Sequence, residues 1–185
     1  MKKILLYGFD DLEADRFQNA AESAGLAMYV IGDTALDMTV SRLFEIDDDL
    51  DAVHSAYDDH YMLFQGFELP ELIQVGKDLA SAGAPFDGIR IMRTDENENW
   101  TLRRLLEEAA SEHHLSRKVM VLQELVRSCG GVDVKAMDEQ QQREFRDALT
   151  DAFRLLQSGE FTGREIDEAI RRLSEELKST RRLLS

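Results

Sequence analysis

The chain has 185 residues, of which 43% are hydrophobic and 32% charged, and its net charge is −15. That length and apolar content exclude a disordered chain and suffice to bury a core without a disulfide or a metal. A single cysteine, Cys129, excludes a disulfide scaffold and fits a reducing compartment, so a cytoplasmic location is expected.

The charge is uneven. Residues 1–99 hold 7 Lys/Arg against 21 Asp/Glu, a balance of −14, while residues 100–185 hold 15 against 16, a balance of −1. Such an acidic first half repels phosphate backbones and anionic membranes. The shift near Trp100 predicts two parts, an acidic α/β domain over 1–98 and a helical region over 99–185.

The apolar run 3–8 predicts a buried strand closed by Gly8. It resembles the start of a signal peptide, but Asp10, Asp11 and Glu13 break it too early. No later run reaches the ~20 apolar residues of a membrane span. Asp10 or Asp11 can cap a helix to Ala24, with Leu12, Phe17, Ala20 and Ala21 as its stripe and Gly25 at its end. A second strand follows at 26–31. Residues 33–59 hold a short helix or irregular strand, then an acidic loop. A third strand is expected at 61–67, a helix at 69–82 with Pro70 in its first turn, and a fourth strand at 86–92. This strand-helix-strand-strand-helix-strand order predicts an α+β fold, a ferredoxin-like βαββαβ sandwich with an antiparallel four-stranded sheet.

Everything after Thr94 reads as helix. Helices are expected at 100–113, from Ser116 to Gly130, at 139–157 and at 164–184. Asp138 with Gln141, and Thr162 with Glu165, form capping boxes. In the last helix Ile166, Ile170, Leu173, Leu177, Thr180 and Leu184 alternate at heptad spacing. The last two helices should form an antiparallel hairpin through 157–162. Its leftover apolar residues, Phe153, Leu155, Leu183 and Leu184, point to a homodimer through the C-terminal helices, with docking on the helices at 100–129 as the alternative. No repeat and no low-complexity linker is evident.

Residues 94–101 read Thr-Asp-Glu-Asn-Glu-Asn-Trp-Thr, followed by Leu105-Leu106-Glu107-Glu108 and Glu112-His113. This segment resembles the bacterial domain of unknown function 3783 family, whose members show a strand, Thr-Pro-x-Asn-x-x-Trp-Thr, and a Leu-Leu-Glu-rich helix ending in Glu-His. The match is carried mainly by residues 86–114, with Asp95 in place of the proline, and it implies no activity. Read on their own, Asn97 or Asn99 caps the following helix and Trp100 packs back on the sheet. A ligand-rim reading would place Thr94, Asn97, Asn99 and Trp100 around a pocket.

Other patterns fall short of the motifs they resemble. Asp47, Asp49 and Asp51 alternate as in a calcium loop, but Ala52 and Asp58 stand where glycine and glutamate are needed. Asp10 and Asp11 resemble the acidic pair of receiver domains, but no aspartate ends the third strand. His113 and His114 are adjacent, so they cannot form an i, i+4 metal pair; a long-range site joining His60, His113 and an aspartate stays open as a minor alternative. Phosphate loops and nucleophile motifs are absent. The aromatic strands invite an RNA reading, which the acidic charge opposes. No catalytic residue, metal site or cofactor is assigned. The expected function is a non-enzymatic interaction or regulatory module with a protein partner, without nucleic acid or membrane. The alternative is a small-molecule- or metal-binding domain or enzyme with its site near residues 94–100.

Overall fold

Lys3–Tyr7 (β1) is apolar at nearly every position because both of its faces are covered. The computed structural model describes residues 2–50 and 53–183, with side chains up to residue 179. The chain divides into two compact units, 1–111 and 112–185. The boundary expected at 98/99 follows the charge shift, whereas the units divide inside a helix.

In the first unit β1 leads into Asp11–Ser23 (α1). Asp10 caps it, its carboxylate accepting from the Glu13 amide at 2.8 Å, while Glu13 reaches back to the Asp10 amide. Ala27–Val30 (β2) follows, then a 3₁₀ turn at Asp33–Ala35 and the short helix Val40–Leu43 (α2). Tyr61–Gln65 (β3), Leu69–Ser81 (α3) and Ile89–Met92 (β4) repeat the pattern.

The strand order is β2-β1-β3-β4. β1 pairs parallel with β2 and β3 parallel with β4, and the two central strands, β1 and β3, run antiparallel. The sheet is therefore mixed, and the expected antiparallel ferredoxin-like sheet is not formed. The reason lies in the connections. An antiparallel β2–β3 neighbour pair needs only a short turn, but 31–60 is a long segment that carries the chain across one sheet face and back to the centre. α1 and α3 cover the opposite face, through Ala14, Phe17, Ala21, Val75 and Leu79. The 33–46 segment and the first turns of the next helix cover this one, through Leu36, Val40, Leu43, Leu102 and Leu106.

That next helix, Leu102–Ser128 (α4), is continuous. The two helices expected on either side of 114–116 are one, because nothing there breaks it: a serine in mid-helix costs little. The second unit adds Glu139–Ser158 (α5) and Gly163–Leu183 (α6). Both expected capping boxes are present, Asp138 with Gln141 and Thr162 with Glu165. α5 and α6 pack on each other. Ile166 and Leu173 of the heptad stripe are fully buried with Leu122, Phe145 and Ala152, and Ile170 and Leu177 pack on the same cluster. The stripe is thus consumed inside the unit. Of its remaining positions, the Thr180 side chain and Leu184 lie outside the described residues, as does the Leu183 side chain.

Candidate functional site

The turn after β4 is built by its own polar side chains. Thr94 donates its backbone N–H to the Asn97 carboxamide oxygen at 2.9 Å, and the Asn97 amide group donates to the Met92 carbonyl at 2.9 Å. Asn97 therefore pins the turn and does not cap the helix. The cap is Thr101, whose hydroxyl accepts from the Arg104 amide at 3.3 Å. Asn99 is exposed and caps nothing. Arg93, at the end of β4, binds Glu98 at 2.9 Å and also donates to Gln65.

Trp100 is partly buried and packs on the core cluster against the sheet, as expected. One side of the indole meets the core cluster beneath the sheet, and the Arg104 guanidinium lies 3.9 Å from the ring centre. The backbone on either side is paired. Val40 donates to the Trp100 carbonyl at 3.0 Å and Leu102 to the Met38 carbonyl at 2.9 Å. Ser41 donates to the Glu98 carbonyl and Arg103 to the Leu36 carbonyl, each at 2.9 Å. Segment 36–41 and segment 98–103 thus form an antiparallel seam with Thr39 opposite Thr101. Of the four expected rim residues, Thr94, Asn97 and Trp100 are engaged in building this joint.

At the carboxyl end of β1 a second polar cluster was not foreseen. The buried Tyr7 hydroxyl donates to Asp33 at 2.5 Å, and Asp33 also accepts from the Ser55 amide and hydroxyl. This bonding holds the Asp33 carboxyl below its usual range, with the Tyr7 hydroxyl the largest cause. Burial, with Asp33 beside it, pushes the Tyr7 phenol well above its ordinary value, and burial pushes Tyr61 up to about 12. Gly8 turns the chain here with φ +89, and a methyl group on it would meet the Asp59 carbonyl oxygen at 2.5 Å. The 53–60 segment meets this end of β1 through Ser55 on Asp33 and the Tyr57 ring edge-on to Tyr7.

The acidic loop is likewise structural. Asp47 takes the Lys3 ammonium at 2.7 Å, and Asp49 accepts from the Val30 amide at 2.7 Å and from Gln18. Asp51 and Ala52 lie outside the described residues. His60 stands 3.4 Å from Glu13 and packs on Phe9. His113 and His114 lie ring to ring. Among the described residues, no three metal-capable side chains converge.

In the second unit the surface is shaped differently. A groove of about 340 Å³ between α5 and α6 has Ala148, Leu155 and Ala169 on its floor and Asp151, Glu168 and Arg172 on its rim. Another, of about 350 Å³, runs along α5 past Leu149, Phe153 and Arg154. Phe153 is 51% exposed there. Cys129 is buried, and burial pushes its thiol up, away from nucleophilic use.

Lys3, the Tyr7–Asp33 pair and Arg104 escape a linear reading. The available signal for Arg104 is its spacing, one helical turn after Trp100. Compared with known protein families, curated proteins and solved structures, the chain finds no match. No helix among the described residues is long and apolar enough to cross a membrane.

Proposed function

We propose that the protein is a non-enzymatic interaction module that docks through the outer face of α5, and that its partner is a second copy of the chain. The observation that carries this reading is Phe153. An aromatic side chain left half in water forgoes a good part of the ~1.5–3 kcal/mol that full burial of such a residue yields. Leu149, one turn earlier, lines the same groove, so a partner would meet two apolar side chains framed by Thr150, Arg154 and Gln157. On the Phe153 side of α5, Arg146 lies two turns before Phe153 and Glu139 two turns before Arg146. A helix face bearing both signs can meet its own copy with opposite charges aligned, as a two-fold interface requires. The alternative, a ligand site at 94–100, is less favoured because Thr94, Asn97 and Arg93 are occupied with one another and with the backbone.

The test is sedimentation of the full-length protein at micromolar concentration, beside Phe153→Glu. Expected is a dimer that becomes a monomer in the variant, with unchanged circular dichroism. A wild-type monomer, or a dimer indifferent to the charge at 153, would sink the reading. A thermal-shift screen with divalent metals, nucleotides and amino acids should leave the melting temperature unmoved, and a reproducible upward shift would favour the ligand site instead.

A further inference from the structure

The first unit can be laid upon itself. Residues 3–26 align without a gap on 61–84, and residues 27–45 align on 89–107 once the insertion 85–88 is set aside. In sequence the match is modest, which is why no repeat is evident on a linear reading. It falls on telling positions: Gly8-Phe9 on Gly66-Phe67, Glu13 on Glu71, Ser23-Ala24-Gly25 on Ser81-Ala82-Gly83. Beyond the insertion, Asp33 falls on Asp95, Thr39 on Thr101 and Arg42-Leu43 on Arg104-Leu105.

The structure repeats the alignment in its strand register and in several of its hydrogen bonds. Lys3 faces Ala27 across β1 and β2, and their counterparts Tyr61 and Ile89 face each other across β3 and β4. Ile31 donates to Leu6 and Arg93 to Phe64, both at 2.8 Å; Leu26 donates to Ala21 and Ala84 to Leu79, both at 2.9 Å. Glu13 and Glu71 each reach back to the residue before their helix. Gly8 and Gly66, and Gly25 and Gly83, share positive φ.

Two further facts fix the symmetry. Leu5 sits opposite its own counterpart Leu63 at the centre of the antiparallel β1–β3 pair. Thr39 bridges its own counterpart Thr101 in the seam. The seam bonds come in exchanged pairs: Val40 to Trp100 is matched by Leu102 to Met38, and Ser41 to Glu98 by Arg103 to Leu36. A contact in which i meets j and the counterpart of i meets the counterpart of j marks a two-fold interface between like surfaces.

We infer that residues 3–45 and 61–107 are two copies of one βαβα half joined in tandem. The surface between them is then a self-recognition surface, and the first unit is a homodimer closed within a single chain. The partner that this surface fits is another copy of the half. The segment resembling a ligand rim, 94–101, is the second copy of the stretch that makes this seam.

Exchange across the axis tests the inference in the full-length protein. Val40 and Leu102 are counterparts and both fully buried. Val40→Leu crowds its site and Leu102→Val hollows its own, so each alone should lower the melting temperature by several degrees. The double exchange is the two-fold image of the wild type and should recover most of that loss. The second pair is Met38 and Trp100. Trp100 is the sole tryptophan, and its counterpart-related cation at position 38 is Arg42 in place of Arg104. In Met38→Trp/Trp100→Met the emission should respond to Arg42→Ala and ignore Arg104→Ala, the reverse of the wild type. Volume compensation without symmetry would restore the melting temperature but not this switch. Losses that simply add in the double exchange, or an indole at 38 indifferent to Arg42, would overturn the inference.

Discussion

At position 3 a lysine occupies a strand site that is 1% exposed, and its ammonium finds three acceptors: the Phe44 and Ile46 carbonyls at 2.9 and 2.7 Å, and Asp47 at 2.7 Å. Three donors meet three acceptors, which is what makes a buried lysine tolerable. Lys3→Met should therefore cost on the order of 2 kcal/mol through the lost charge-assisted bonds, measured by urea unfolding. Asp33 and Tyr7 are coupled in the same way. Asp33→Ala leaves the Tyr7 hydroxyl buried and unpaired, an expected loss of ~1–3 kcal/mol. The pH dependence has two limbs. The Asp33 carboxyl is held low in the folded state, so its contribution is present above the ordinary carboxylate range and lost as pH falls through the depressed value. Tyr7 and Tyr61 are held high, so theirs is present below the ordinary phenol value of 10.0 and lost as pH rises beyond it. Asp33→Asn should flatten the acid limb of a melting-temperature profile and, because Asp33 helps hold Tyr7 high, shrink the alkaline limb to the part set by burial and by Tyr61. None of this was legible in the sequence: a lysine beginning a strand looks like a solvated end, and its acceptors lie some forty residues away. The Asn97 and Trp100 cluster was legible as a joint but not in its details, because Thr101 caps the helix from outside the expected set.

Three helix starts were readable, while the break expected at 113–116 and the cap expected at Asn97 or Asn99 were not there. Asp10 with Glu13, Asp138 with Gln141 and Thr162 with Glu165 are local patterns, and local bonds satisfy them. The sheet was less readable, because element order is shared by folds that differ in pairing. Two signals separated them. Lys-Ile-Leu-Leu-Tyr and Tyr-Met-Leu-Phe-Gln do not alternate, as strands with one open face would, and the segment before β3 is too long for a hairpin. Heptad spacing in α6 proved equally compatible with a partner inside the unit, since a stripe does not name what covers it. Leu173, fully buried on that stripe, gives the expected test: Leu173→Ala should cost ~2–5 kcal/mol. The loss should be seen as an earlier melt of the helical signal in circular dichroism.

For the molecule as a whole, the −14 balance of residues 1–99 sets a repulsion that the near-neutral remainder lacks. Raising the salt concentration screens it, so the melting temperature should rise with added sodium chloride at neutral pH. The exposed ion pairs of the helical unit, such as Lys118–Asp167 and Arg172–Asp151, oppose this only weakly. A melting temperature that falls with salt would show that surface pairs outweigh the acidic field.

The central antiparallel pair has a consequence in time. Each parallel pair, β1 with β2 and β3 with β4, closes over a single helix, whereas Leu5 must find Leu63 across more than fifty residues of chain. Such a distant pairing is the slow one, since its loop must be closed before any contact rewards it. During that delay each half exposes a surface that any other half in solution satisfies equally well. Refolding from urea should then divide by concentration. Dilute protein recovers in a single kinetic phase, while concentrated protein forms interlocked pairs of chains that resolve at the rate of unfolding.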